Sequence, residues 1–211
     1  MKNFDKAKKV LVTGGTGYLA SWIIKMLLDE GVIVHTTVRN PKDNDKIAHL
    51  KKIDKSNQLK IFKADLLETN GFKEAMQGCE FVIHTASPFF MAGFKDPEKE
   101  LIAPAKQGTQ NVLNTAKETP GVKRVVLTSS IAAIYGDCID INNVPNKIFT
   151  ENEWNNTSSV NHLPYSYSKT VAENSMIQFL KREGWSTQRY NITHKVISHP
   201  FGWPASRDRI N

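Results

Sequence analysis

The sequence predicts an α/β fold, a doubly wound parallel sheet with helices on both of its faces. Short apolar segments at 10–12, 32–38 and 125–127 alternate with segments whose apolar residues recur at helical spacing. This alternation is typical of βαβ units, in which a helix crosses between two parallel strands. Of the 211 residues, 40% are apolar and 23% are charged, a globular composition that excludes collagen-like, low-complexity and wholly disordered chains.

The individual elements follow from periodicity and from glycine and proline stops. The first strand, 10–12, ends in a glycine turn, and a helix predicted over 18–30 follows it and is terminated by Gly31. The later elements are predicted as a strand at 32–38, a helix near 44–55, a strand near 59–64, a short helix near 70–77, a strand at 80–84, a helix at about 97–118, a strand at 125–127 and a helix from 165 to about 182. The polar stretch 137–160 is predicted to be a surface loop.

The net charge of +7 arises entirely in the first third of the chain. Residues 1–63 hold 13 basic and 6 acidic side chains, whereas residues 64–211 hold 15 of each. A solvated face explains such an excess, and so does a phosphorylated small molecule bound near this end. No basic stripe is interleaved with aromatic residues, so nucleic acid is not expected as a partner.

The cysteine count and the hydropathy pattern indicate the compartment. Cys79 and Cys138 are too few for a disulfide framework and indicate reducing surroundings. The start of the chain is polar and basic, and no apolar run approaches the roughly 18 residues of a membrane span. We therefore expect a cytoplasmic protein without a signal peptide or a transmembrane helix. No spacing of His, Cys, Asp or Glu indicates a metal site.

The turn after the first strand carries a nucleotide-binding signature. It reads GGTGYLA over residues 14–20, between a predicted strand and a predicted helix. Glycine lets the backbone approach a pyrophosphate, whose charge is stabilised by the N–H groups and the dipole of the helix N-terminus. A glycine turn without a ligand is the alternative. The cofactor contacts expected from this turn are Gly14, Thr16, Gly17, Tyr18 and Leu19.

The end of the second strand indicates which dinucleotide is bound. NAD sites usually carry Asp or Glu at this place for the ribose 2′-OH, but this chain has Arg39 and then Lys42. A guanidinium suits a 2′-phosphate, so NADPH is predicted in preference to NADH. An Arg39 that merely lies on the surface is the alternative. Asp65 and Leu66, after the third strand, are expected near the adenine.

Tyr165 and Lys169 are four residues apart at the start of the last predicted helix, so they share one face. A nearby ammonium is expected to lower the phenol pKa of about 10 toward neutral pH. The pair can then protonate a carbonyl oxygen as hydride arrives from a nicotinamide. Ser129 and Ser130 end the fifth strand, where a hydroxyl can donate to the same oxygen or can simply cap the next turn.

Taken together, these residues resemble the extended short-chain dehydrogenase/reductases, which have a Rossmann fold. The closer similarity is to the branch of dihydroflavonol reductases, cinnamoyl-CoA reductases and microbial aldehyde and ketone reductases. The matching segments cover about residues 8–183 in the family's order: VLVTGGTGYLASW, TTVRNP, ADL, HTASPF, VKRVVLTSSIAAIYG and YSYSKTVAE.

The resemblance implies a Ser–Tyr–Lys triad. Tyr165 is then the general acid, and Lys169 tunes it and binds the nicotinamide ribose. Ser130 is favoured over its neighbour Ser129 as the triad serine. The further positions expected beside the cofactor are Thr85, Ala86 and Ser87 after the fourth strand, and Pro200 in His199-Pro200, a degenerate form of the family's Asn-Pro turn. His84 and His162 are expected to be packing and loop residues.

The resemblance fades after Gly184, although family members continue well beyond this point. It implies an NADP-binding domain with the catalytic helix over 1–184, and a divergent tail over 185–211. The tail is expected to be the remnant of the sixth strand and of the substrate lobe, which is largely missing from a truncated chain.

Three functions fit these residues. The favoured one is an NADPH-dependent oxidoreductase that reduces a small aldehyde or ketone to an alcohol. The second is a truncated, non-catalytic dinucleotide-binding protein. The third is an NAD-dependent nucleotide-sugar epimerase or dehydratase, against which Arg39 argues. The sequence leaves the oligomeric state open.

Overall fold

The computed structural model describes residues 8–89 and 93–185, together with the backbone of residues 190–193. The strands are β1 (Lys9–Thr13), β2 (Ile33–Val38), β3 (Leu59–Lys63), β4 (Cys79–His84), β5 (Arg124–Thr128) and β6 (Tyr190–Thr193). The helices are α1 (Tyr18–Asp29), α2 (Asn44–Ile53), α3 (Lys73–Met76), α4 (Ala103–Glu118) and α5 (Pro164–Glu183).

The six strands form one sheet in the order β3-β2-β1-β4-β5-β6. Every neighbouring pair is parallel, and the chain winds outward from β1 in both directions. The predicted doubly wound parallel sheet is therefore confirmed. The order reverses between β1 and β4, and ligands of open α/β sheets bind outside the carboxyl ends of the strands at such a point.

The apolar residues of the strands are buried on both faces of the sheet. Val10 and Val12 of β1 pack in one core with α1 and α2. Leu11, which lies between them, packs on the other face with residues of α3, α4 and α5. Because both faces are covered by helices, β1 shows a continuous apolar run instead of an alternation with polar residues.

Two predicted helices differ from the structure at their starts. The predicted helix over 97–118 begins as a π-helical turn, Glu98–Ile102, before α4. Pro104 lies in the first turn of α4, and its missing N–H prevents a regular α-helical ladder from running through this point. The short helix predicted near 70–77 is only Lys73–Met76, because Asn70 adopts a left-handed φ of 63°.

The polar stretch 137–160 contains two short 3-10 turns, Cys138–Asn143 and Pro145–Lys147, and is otherwise irregular, as predicted. The division of the chain at 184/185 stays a prediction, because 186–189 and 194–211 lie outside the described residues. In the part of the chain that is described, no helix combines the length and the apolar character needed to span a bilayer.

The packing of α5 on the sheet can be tested with two methionines. Met176 of α5 is fully buried in the core, whereas Met26 of α1 is 65% exposed. We expect Met176→Ala to lower the free energy of unfolding by about 2–5 kcal/mol, and Met26→Ala to change it by about 0.5 kcal/mol or less. Urea unfolding of both variants checks this, and equal losses would contradict the packing described here.

Candidate active site

The glycine turn between β1 and α1 fits closely against its neighbours. Gly14 has a left-handed φ of 73°, which glycine adopts without the strain that a side chain brings. A Cβ on Gly15 would lie 2.3 Å from Oγ1 of Thr36 in β2. Glycine at these two positions therefore allows the tight turn at the switch point. Thr16, Gly17 and Tyr18, which follow it at the start of α1, are exposed.

The start of α1 can accept an anion. Its N-cap is Gly17, which has no side chain that could bond to the N–H groups of the first turn. Ser21 is buried one turn later, with its hydroxyl 2.8 Å from the Gly17 carbonyl and 2.9 Å from Nε2 of His49. This serine, which the sequence analysis missed, ties the turn to α2. Leu19 is half-buried beside it.

Arg39 follows the last residue of β2 directly and is exposed. The first carboxylate after it, Asp43, caps α2 by accepting a hydrogen bond from the Lys46 N–H at 3.2 Å and pairs with the Lys46 ammonium at 2.9 Å. The backbone N–H of Lys42 donates to Asn40 Oδ1 at 3.0 Å. The end of β2 thus presents the guanidinium of Arg39, while the first carboxylate that follows it in the sequence, that of Asp43, caps α2.

The loop after β3 is held against α4. The Leu66 carbonyl accepts a hydrogen bond from Nδ2 of Asn111 at 2.8 Å. Gly108 leaves room for the Leu66 side chain, since a Cβ at Gly108 would lie 2.5 Å from it. Asp65 is half-buried and accepts from the Leu67 N–H at 2.9 Å. Asp65 and Leu66 therefore have fixed positions at the carboxyl edge of the sheet.

The buried hydroxyl of Thr13 joins the ends of β1 and β4. It accepts hydrogen bonds from the N–H groups of Thr85 and Ala86, both at 3.1 Å, and lies 2.8 Å from Nδ1 of His84. Because both lone pairs of the oxygen are used, its proton is donated to Nδ1, which leaves His84 neutral with hydrogen on Nε2. His84 is thus a buried, hydrogen-bonded residue, as expected.

Lys169 of α5 is buried beside the end of β4. Its Nζ donates to the hydroxyl of Ser87 at 2.8 Å and lies 5.3 Å from the centroid of the Tyr165 ring. Burial lowers the pKa of Lys169 to about 8. The predicted proximity of Tyr165 and Lys169 is therefore present, and Ser87 is brought to the same place.

The Ser130 hydroxyl lies near the Tyr165 hydroxyl, close enough to lower the phenol pKa. Burial raises the pKa of Tyr165 above its ordinary value, and the nearby Ser130 hydroxyl only partly offsets this effect. The expectation that the phenol pKa lies below its ordinary value is thus wrong, because burial of Tyr165 outweighs the effects that lower it. Ser129 points elsewhere, to the carboxyl group of Glu173 at 2.5 Å.

Two residues that the sequence analysis did not single out contact Tyr165 and the segment that follows Ser130. Phe89, 64% exposed, contacts the Tyr165 ring edge to face at 5.3 Å between centroids. Buried Asn155 of the long loop donates to the Ala132 carbonyl at 2.7 Å, close to Ser130 in sequence. His162 lies in the loop before α5, 2.8 Å from Asp137, as its loop assignment predicts.

A small cavity of about 10 Å³ lies beneath the site, and its polar lining includes His84, Ser87, Ser129 and Lys169. This volume holds about one water molecule, so a substrate would bind outside it. Among the residues that the structure describes, no three His, Cys, Asp or Glu side chains are grouped to hold a metal ion. The predicted cofactor contact at Pro200 lies outside the described residues.

A parallel sheet in this strand order, with a glycine turn at its switch point, defines a Rossmann-type fold. The model of the 3-beta hydroxysteroid dehydrogenase/isomerase family matches residues 11–184, and the chain belongs to this family.

The similar proteins are reductases. A cinnamoyl-CoA reductase of Medicago truncatula is 43% identical over 187 residues, which are 86% of this chain and 56% of the relative. An anthocyanidin reductase of Arabidopsis thaliana is 41% identical over 182 residues, 83% of this chain and 52% of the relative. The chain thus spans about half the length of the curated relatives it matches.

Solved structures agree with these relationships. The structure of yeast methylglyoxal/isovaleraldehyde reductase in complex with NADPH has a TM-score of 0.75 at 26% identity, covering 88% of this chain and 56% of that one. Vestitone reductase from alfalfa (Medicago sativa) has a TM-score of 0.66 at 30% identity, covering 87% of this chain and 55% of that one. The predicted resemblance to the cinnamoyl-CoA reductase branch is therefore confirmed.

The neutral, buried state of His84 predicts an acid-sensitive fold. Burial lowers its pKa from 6.5 to about 3, so between these values the unfolded chain binds a proton that the folded chain does not. Stability is therefore lost as pH falls through this window. In His84→Asn the amide oxygen can replace Nδ1 as the acceptor for Thr13, without titrating.

We expect the parent to lose about 2 kcal/mol more unfolding free energy than His84→Asn between pH 7 and pH 5. Urea unfolding of both proteins at the two pH values measures this difference. The same loss in parent and variant would show that His84 is not the residue responsible.

Proposed function

We propose that this chain binds NADPH and reduces an aldehyde or ketone to an alcohol, with Ser130, Tyr165 and Lys169 as catalytic residues. The observation that carries the proposal is the buried Lys169 ammonium, which lies 5.3 Å from the centroid of the Tyr165 ring at the carboxyl edge of the sheet, with Ser130 near the phenol. The names of the relatives and the NADPH held by the yeast reductase support it.

The residues around the switch point fit a dinucleotide. The close backbone approach at Gly14 and Gly15 and the start of α1 would hold the pyrophosphate. Arg39 would bind the 2′-phosphate, because its guanidinium is exposed while Asp43 is used in the cap of α2. The remaining proposed contacts are Thr16, Gly17, Tyr18 and Leu19 at the pyrophosphate, Lys42 at the 2′-phosphate, Asp65 and Leu66 at the adenine, Thr85, Ala86 and Ser87 along the cofactor, and Lys169 at the nicotinamide ribose.

When bound, NADPH supplies the hydride that reduces the carbonyl carbon. Tyr165 donates its proton to the carbonyl oxygen, and its raised pKa keeps the phenol protonated at neutral pH. Ser130 donates a hydrogen bond to the same oxygen and fixes its position. The Lys169 ammonium stabilises the phenolate that remains on Tyr165. The products are the alcohol, oxidised cofactor and the Tyr165 phenolate.

The role of Arg39 predicts a cofactor preference. A hydrogen bond to a charged group contributes about 1.5–3 kcal/mol, so Arg39→Ala should weaken NADPH binding by about 10- to 150-fold. NADH, which has no 2′-phosphate, should bind parent and variant equally. Arg182→Ala is the matched control, because it removes an exposed guanidinium in the last turn of α5, at the end of the helix away from Tyr165.

Thermal melting with each cofactor in large excess measures these affinities, since ligand at 100 times its dissociation constant stabilises by about 2.7 kcal/mol. Equal NADPH shifts in the parent and Arg39→Ala would contradict the assignment. NAD that purifies with the protein would favour an epimerase or dehydratase. NADPH binding without turnover on a panel of carbonyl compounds would favour a non-catalytic dinucleotide-binding protein.

The pKa of Lys169 predicts an alkaline limit of the reduction. The ammonium is present below about pH 8 and is lost above it, so kcat should fall as pH rises through this value. Tyr165 does not cause this limb, because burial holds its pKa above the ordinary value. Lys169→Arg should move the limb to higher pH, since a guanidinium stays charged.

The oxidation of NADPH with the best substrate of the panel, followed as a function of pH, gives this profile. Tyr165→Phe should lower kcat by about 10²- to 10⁴-fold at every pH, because it removes the proton donor. An alkaline limb that stays in place in Lys169→Arg would exclude Lys169 as its cause.

A further inference from the structure

One face of α5 contacts the loops at the carboxyl ends of β4 and β5 at three successive helical turns. Residues spaced by four along a helix lie on the same face, and here each of the three contacts a different serine from the loops after β4 and β5. Tyr165 lies near Ser130, Lys169 is hydrogen-bonded to Ser87, and Glu173 is hydrogen-bonded to Ser129. The first two pairs belong to the proposed catalytic site, and the third does not.

The third pair is a buried link between two separate elements. Ser129 is 8% exposed and Glu173 is 5% exposed, and the serine hydroxyl donates to Oε2 of the glutamate at 2.5 Å. This distance is within the range of O–H···O hydrogen bonds. Breaking such a bond in a buried place leaves polar groups unsatisfied, so the link resists movement of α5 along the sheet.

The position of this link relates it to the reacting groups. Ser129 and Ser130 are adjacent, with Cα atoms about 3.8 Å apart. Glu173 and Tyr165 are about 12 Å apart along the axis of α5, at a rise of about 1.5 Å per residue. Two side chains from distant turns of one helix therefore converge on two neighbouring residues. Because these two contacts come from opposite directions along α5, they prevent the helix from sliding along its axis relative to Ser130.

We propose that Glu173 is a positioning residue that acts through Ser129 to hold Tyr165 in its place beside Ser130. This inference extends the proposed function, since it explains how the site keeps its geometry. It also assigns different roles to the two serines: Ser130 contacts the general acid, and Ser129 anchors the helix.

The first test needs no turnover. The protein holds five tyrosines, so labelling with 13Cζ-tyrosine and comparison with Tyr165→Phe identify the Tyr165 signal in an NMR spectrum. Because this carbon reports hydrogen bonding of its hydroxyl, Ser129→Ala and Glu173→Ala should both move the Tyr165 signal. Glu173→Gln keeps an oxygen acceptor for Ser129 and should leave the signal in place.

Ser175→Ala is the matched control for the loss of a buried serine. Ser175 is 5% exposed, and its hydroxyl donates to the Val171 carbonyl inside α5 at 2.8 Å without linking two elements. Its substitution should leave the Tyr165 signal in place. An unmoved signal in both Ser129→Ala and Glu173→Ala, or an equal displacement in Ser175→Ala, overturns the proposal.

The second test uses the reaction. Misplacement of a catalytic group by about 1 Å can cost up to about 100-fold in rate, so Ser129→Ala and Glu173→Ala should each lower kcat by about 10- to 100-fold. The dissociation constant for NADPH should stay within about 2-fold. The double variant should lose no more than either single variant, because both substitutions break the same link.

The outcomes separate the positioning role from the proposed function. A lowered kcat in Ser129→Ala with an unmoved Tyr165 signal makes Ser129 a catalytic residue and overturns the proposal. No turnover in the parent refutes the reductase function, while displaced Tyr165 signals still support the link. If Glu173→Ala does not fold, Ser129→Ala and the retained signal of Glu173→Gln decide the question.

Discussion

The hydroxyl of Thr13 is the interaction on which the architecture of the site depends. It uses its proton and both lone pairs within the protein, and so it fixes the end of β1 to the residues that follow β4. The glycine turn begins next to it on one side. On the other side the chain continues from Thr85 and Ala86 to Ser87, whose hydroxyl accepts a hydrogen bond from the Lys169 ammonium. One buried oxygen thereby connects the proposed pyrophosphate site to the proposed catalytic lysine.

The periodicity of the sequence was sufficient for most of the fold, because short apolar segments such as 10–12 and 125–127 alternate with helices that have spaced apolar faces. The proximity of Tyr165 and Lys169 was also predictable, since it depends only on the helical repeat. The bonds from Thr13 to His84 and from Ser129 to Glu173 join residues 71 and 44 positions apart, and no local pattern signals them. The phenol pKa was predicted wrongly for the same reason, because it depends on how deeply the folded chain buries Tyr165.

The burial of Lys169 costs stability and is compensated only in part. An ammonium out of water loses hydration, which is why its pKa falls to about 8. A neutral residue of similar volume would pack in the same place without that cost, so core packing does not explain why a lysine occupies this position. Perturbed groups of this kind cluster at functional sites. The surface lysines that pair with carboxylates, such as Lys46 with Asp43, have no comparable burial.

The adjacency of Ser129 and Ser130 restricts how the chain can change in length. The two serines directly follow β5, and the first is hydrogen-bonded to Glu173 while the second lies near Tyr165. A deletion or insertion of a single residue at the end of β5 would shift both serines by one position along the chain and would present the wrong residue to each partner. Loops elsewhere in the chain can lengthen or shorten without such a shift. The register of one central strand is therefore determined by the chemistry at its tip as well as by the core that it fills.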